Sequence, residues 1–198
     1  MNEAAGALPG IALVSHCLAN QNAKVDEYAV FAGVSPVIGL LRRRGFILQQ
    51  MPCPEMSLLG TKRWWHVREQ YDTPGYRRHC RALANSVADV LEARLAEGPR
   101  DVVLLGVDGS PSSGVTLTGI GTDPNLPWGG RPEDVPSAIV PGKGVWIEEL
   151  EAVIAERGLP APRLLGIPME LPGYSVEQSL RELDAFLAAG GSVGEAVG

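Results

Sequence analysis

The sequence predicts an α/β fold: a three-layer, doubly wound and mostly parallel sheet of four to five strands, Rossmann-like. Three observations predict it. Short apolar runs alternate along the chain with stretches of helical periodicity. Capping and stop residues fall between them. The run "DVVLLGVDG" is apolar nearly throughout, as a strand covered on both faces is. Such alternation requires crossover connections and parallel pairing.

"GIALVSH" opens the series as a short aliphatic strand. "SPVIGLLRRRG" is a helix, with Ser35 as cap, Pro36 at its first position and Gly45 as its stop. Arg42 to Arg44 then form either a cationic last turn that suits the helix dipole or a basic contact patch. "FILQQMP" is a second strand, ended by Pro52 and Pro54. The longest helix follows, capped by Asp72 or Thr73, entered at Pro74 and stopped by Gly98. Its apolar stripe runs through Tyr76, Cys80, Leu83, Ala84, Val87, Leu91 and Leu95. After the third strand, "DVVLLGVDG", comes a Gly/Pro-rich stretch from Ser110 to Gly142, read as one long loop of the kind that is usually functional or mobile. A helix over "GKGVWIEELEAVIAERG", a strand over "RLLGIPME" and a helix capped by Ser175 complete one domain over 1–198.

The 198 residues, 45% hydrophobic and 20% charged, suit a globular protein with a proper core. No apolar run is long enough to span a membrane, and the first residues do not read as a signal peptide, so a cytoplasmic location is expected. A net charge of −6 argues against a broad nucleic-acid surface but leaves a small anionic or nucleobase ligand open. Three cysteines do not make a disulfide framework.

Ligands of open parallel sheets bind outside the carboxyl ends of the strands. Cys17 follows the first strand, Cys53 the second, and the turn "VDGSPSSGV" the third. Three strand ends thus deliver two thiols and a hydroxyl-rich turn to one edge. Cys80 reads as a core residue of its helix. A zinc site combining Cys17, Cys53 and one of His16, His66 or His79 is conceivable, without a local metal signature. "GSPSSG" lacks the lysine of a phosphate-binding loop. Trp64, Trp65 and His66 fall on the same edge, where an indole could stack on a flat heterocycle or pack into the core. Asn20 and Asn22 could meet a base edge or form an Asx turn. Trp128 and Arg131 lie in the long stretch as lid candidates.

The stretches "LVSHCLANQNA", "MPCPEMSLLG", "EQYDTPGYRRHC", "GVDGSPSSGV" and "KGVWIEEL" together resemble the 2-thiouracil desulfidase family, in family order and over most of the chain to about residue 170. The resemblance implies a [4Fe–4S] cluster on three cysteines with one open iron, which would take the sulfur of a thiolated base or nucleoside. Hydrolysis would then release the oxo base and hydrosulfide. Carried over by motif, Cys17, Cys53 and Ser113 occupy the ligand positions. Glu55 and Asp108 are each a candidate acid or base and Ser110 a polar group of the site, with Asn20, Trp65 and Ser112 toward substrate. The family turn reads "GSPSCG", so Ser113 stands where the third thiol belongs. A serine oxygen is a harder donor and far harder to deprotonate. Zinc, or a cluster-free binding protein using the same crevice, are the alternatives.

Overall fold

The computed structural model describes residues 9–25, 28–29, 31–98, 100–125, 135–169 and 171–190. Four parallel strands form the main sheet: β1 (Ile11–Val14), β2 (Ile47–Gln50), β3 (Val102–Val107) and β6 (Arg163–Ile167), in the order β2-β1-β3-β6. The register sets Val14 beside both Gln50 and Leu105. The backbone ladder runs on past it, with the Met51 amide donating to the Val14 carbonyl at 2.8 Å and the Ser15 amide to the Leu105 carbonyl at 3.0 Å.

Side-chain alternation along β1 and β3 divides the core in two. Ile11, Leu13, Val102 and Leu104 pack with α5 (Pro74–Leu95) and α6 (Val145–Glu156) on one face. Ala12, Val14, Val103 and Leu105 pack with α2 (Pro36–Arg43) and α7 (Val176–Ala189) on the other. This is the expected three-layer α/β arrangement, and all strands of the main sheet are parallel. Chain progression reverses between β1 and β3, which makes that gap the topological switch point.

The caps fall where the residues call for them. Ser35 accepts from the Val37 amide, Thr73 from Tyr76 and Ser175 from Gln178. Thr73, rather than Asp72, is therefore the cap of α5. Cys80 is fully buried on the predicted stripe.

The stretch from Ser110 to Gly142 is not one structureless loop. It contains an antiparallel pair, β4 (Leu117–Gly121) with β5 (Ser137–Pro141), forming a second two-stranded sheet. Its burial is uneven and it carries Gly119, Gly121 and Pro141, which blur the strand periodicity. The hairpin is tied down by the Gly121 amide, which donates to Glu69 of the short helix α4 (Arg68–Tyr71) at 3.0 Å. Trp128 and Arg131 lie outside the described residues.

Candidate functional site at the strand ends

The site is assembled by three connections leaving the carboxyl edge of the sheet. After β1 the chain enters the single-turn helix α1 (His16–Ala19) and then a 3-10 turn over Gln21–Ala23. After β2 it enters α3 (Pro54–Leu59), whose N-cap is Cys53. After β3 it makes the turn from Asp108 to Val115.

That last turn is held from all sides. Asp108 Oδ1 accepts the amides of Val115 and Thr116 at 2.9 Å and of Leu117 at 3.2 Å, and Oδ2 accepts the Thr116 hydroxyl. Glycines let the surrounding backbone close on the turn. A Cβ on Gly106 would lie 2.3 Å from the Ser113 carbonyl oxygen, and one on Gly166 would lie 2.1 Å from Asp108 Oδ1. The amides of Gly144 and Val145 donate to the Gly114 and Pro111 carbonyls, and that of Trp146 to the Ser112 carbonyl. The entry to α6 thereby anchors the serine turn. Asp108, expected as an acid or base, has both oxygens engaged in building this turn.

The three serines form a small hydroxyl cluster. Ser110 Oγ accepts the amides of Ser112 and Ser113 at 3.3 and 3.0 Å. Ser112 Oγ lies 3.3 Å from the hydroxyls of both Ser110 and Ser113. Ser112 is 1% exposed and Ser113 9%.

Glu55 is the charged centre of the edge. Its Oε1 accepts from the Ser112 hydroxyl, and its Oε2 from Arg63 Nε at 2.9 Å. The side chains of Arg63 and Glu55 are 5% and 12% exposed, so the pair is largely withdrawn from water. Arg63 Nη2 donates onward to the Ala23 carbonyl at 2.7 Å. Burial, then the Glu55 charge, push the Tyr71 phenol well above its ordinary range. The Tyr71 hydroxyl is 3.3 Å from His66 Nδ1, with the rings 5.1 Å apart. Burial lowers the His66 imidazole below its usual value. His66, Tyr71, Gln70, Thr73 and Tyr76, with Leu58 and Leu59, line a cavity of about 480 Å³.

The two thiols differ. Cys53 Sγ lies 3.4 Å from the Met56 amide, as the helix cap. Burial first, then the Glu55 charge, hold its thiol above the ordinary range, against the Met56 amide and Arg63. Cys17 is half-buried against the α2/α7 layer. Cys80 is fully buried in the α5/α6 layer, apart from the layer of Cys17, and joins no metal-holding group among the described residues. Among the described residues, no three His, Cys, Asp or Glu side chains come together in a way that could hold a metal ion. The predicted set of Cys17, Cys53 and Ser113 therefore offers two soft sulfurs and a hydroxyl already in contact with Ser112. It does not fit a cluster held by three thiolates. The histidines do not complete a zinc site either: His16 Nδ1 meets Gln50 at 2.9 Å and His79 Nε2 meets Ser57 at 2.9 Å.

Of the other expected residues, Asn20 makes the Asx turn, accepting from the Asn22 amide at 3.1 Å. Trp65 is half-buried, whereas Trp64 is 65% exposed, so neither belongs to the core. Arg63, Tyr71 and Gln21 were missed. The only hint of Arg63 was a cation following Lys62 and preceding the tryptophans, and nothing in its spacing points to Glu55.

The doubly wound α/β fold thus carries a buried carboxylate, two thiols and a serine turn at the carboxyl edge of its sheet. The family described as "Putative 2-thiouracil desulfurase" matches residues 10–131, and the chain belongs to that family. It is also similar to the uncharacterized protein MJ0003 of Methanocaldococcus jannaschii, 32% identical over 101 residues. That match covers 50% of this chain and 64% of the relative, so the chain spans under two thirds of the relative's length. No solved structure matches. Among the described residues no helix is long and apolar enough to cross a membrane.

Proposed function

We propose that the protein removes sulfur from a small thiolated heterocycle, a free base or nucleoside, by hydrolysis at the Glu55 edge. The family supports desulfurisation as the reaction. The observation that carries the assignment to this edge is the Glu55 carboxylate, held between the Ser112 hydroxyl and Arg63 beside Cys53. Two thiols and a hydroxyl do not make a three-thiolate set, so activation of water falls to Glu55. It takes a proton from water as the oxygen attacks the thiocarbonyl carbon. The proton left on that oxygen passes to sulfur as the carbon–sulfur bond breaks, and the hydrosulfide takes up the proton held by Glu55, so that the thiocarbonyl and one water become a carbonyl and one hydrogen sulfide.

Ser110 and Ser112 fix the carboxylate and the turn, and the half-buried indole of Trp65 offers a stacking face to a flat ring. Asn20 meets the base with the amide nitrogen its turn leaves over. Asp108 is assigned a positioning role because all four hydrogen bonds it accepts come from the turn it builds, whereas Glu55 bridges two separate elements of the edge. The net charge of −6 fits a free base better than bulk nucleic acid.

Sulfide release from 2-thiouracil, measured anaerobically on the full chain, tests the reading. Turnover that falls by about 10²–10⁴ in Glu55→Gln is expected. Tight binding of 2-thiouracil with no sulfide released would instead favour a second reading, a binding protein without turnover, for which the hydroxyl at Ser113 speaks. Full turnover in Glu55→Gln would overturn the role of the carboxylate.

A further inference from the structure

Several buried polar atoms around this edge meet no protein group among the described residues, among them Nη1 of Arg63 and Oε1 of Gln21. The Arg63 side chain is 5% exposed and Gln21 is 1% exposed. Buried polar groups without partners are rare in folded proteins, and each one calls for an explanation.

Both side chains are otherwise fixed. Arg63 spends Nε on Glu55 and Nη2 on the Ala23 carbonyl. Gln21 spends its amide nitrogen on the Cys17 carbonyl at 2.7 Å. Ala23 belongs to the same 3-10 turn as Gln21, so the Arg63 contact seats the guanidinium against the turn that carries the glutamine. The atoms left over are opposite in kind. Guanidinium nitrogen can only donate, and the amide oxygen can only accept. A donor and an acceptor tied to one turn complement a ring N–H next to a carbonyl or thiocarbonyl, the edge of a lactam or thiolactam.

We infer that Arg63 Nη1 and Gln21 Oε1 recognise the –NH–C(=X)– edge of the heterocycle, X being oxygen or sulfur, and orient the ring beside Glu55. The inference rests on the proposal that such a ring occupies this edge. It adds the two groups that select a ring carrying an unsubstituted N–H. A site built to pair a buried polar atom rejects an analogue that lacks the matching group, because the protein atom is then left unpaired.

Calorimetric titration of the full chain with uracil and with 1,3-dimethyluracil tests this without relying on turnover. Uracil is expected to bind, and dimethyluracil about tenfold more weakly or worse, one hydrogen bond's worth of discrimination. Gln21→Met should bring the two ligands to nearly equal affinity, because the acceptor for the ring N–H is gone. Arg63→Lys keeps the charge beside Glu55 but loses the fork, and should weaken uracil by about tenfold. If Arg63→Lys does not fold, the two ligands and Gln21→Met still decide the matter. Equal binding of both ligands by the unaltered chain, full discrimination in Gln21→Met, or no binding of uracil would overturn the inference. Sulfide release from 2-thiouracil with its KM unchanged in Gln21→Met would overturn the inference alone, leaving the desulfurisation proposal standing. Selective uracil binding without sulfide release would overturn only the desulfurisation proposal.

Discussion

Ser112 donates its hydroxyl hydrogen to Glu55 across 57 residues of sequence, joining the turn after β3 to the first turn of α3. The bond locks a carboxylate from one strand end to a hydroxyl from another, on opposite sides of β1 in the sheet. Ser112→Ala should therefore loosen the carboxylate without removing it. The expected outcome is a fall in kcat for sulfide release of up to about 10²-fold through misplacement. Unfolding free energy in urea should drop by only about 1–2 kcal/mol. An unchanged kcat would show that the bond is structural only.

The turn itself is predicted to be intolerant of change. Asp108→Ala would leave the amides of Val115, Thr116 and Leu117 without their acceptor, costing on the order of 3 kcal/mol in denaturant unfolding. Gly144→Ala tests the same turn from outside. Its φ of −75° suits any residue, but a Cβ would lie 2.2 Å from the Ser112 carbonyl carbon. A loss of about 1–3 kcal/mol together with reduced turnover is expected, because relief of the clash displaces Ser112. Wild-type stability in both variants would contradict the packing described.

Alkaline stability follows from the buried acids. Burial first, then the Glu149 charge, push the Cys80 thiol from 9.0 up to about 12, and burial likewise raises the Tyr76 phenol. A raised pKa means that the unfolded chain loses its proton first. The stabilising contribution is thus complete below pH 9 and is lost as pH rises from 9 toward 12. Stability should decline by up to about 1.4 kcal/mol per pH unit from the thiol alone. Cys80→Ala should flatten that slope in urea melts at about pH 8, 9.5 and 10.5, although it lowers stability at every pH.

Ser113→Cys restores a third thiol to the edge that carries Cys17 and Cys53. After anaerobic incubation with iron and sulfide, the variant should retain stoichiometric iron and brown colour, while the unaltered chain stays nearly colourless. Equal iron in both would show that a hydroxyl at 113 suffices as a ligand. Iron in neither would show that the turn holds residue 113 away from the thiols.

Much of the architecture was legible because it is local. Ser35, Pro36 and Gly45 mark α2, Thr73 and Pro74 start α5, and "DVVLLGVDG" declares a strand covered on both faces. The hairpin within 110–142 was not legible, since Gly119, Gly121 and Pro141 mask strand periodicity and pairing between β4 and β5 is non-local. The β4–β5 pairing is recorded nowhere in their own residues.

The sequence by itself determined the alternation of strands and helices, the placing of Cys17, Cys53 and the serine turn at strand ends, and the absence of a thiol at 113. Those depend on periodicity, capping and residue identity, which each segment carries within itself. Only the tertiary structure decided what the edge is made of. It turned Asp108 inward to build the turn and joined Ser112 to Glu55. It also brought Arg63 and Gln21, which no motif marked, to the edge with one polar atom each unmet by protein among the described residues. The reason is physical: hydrogen bonds and burial between distant segments are set by strand order and packing, and strand order is a property of the whole chain.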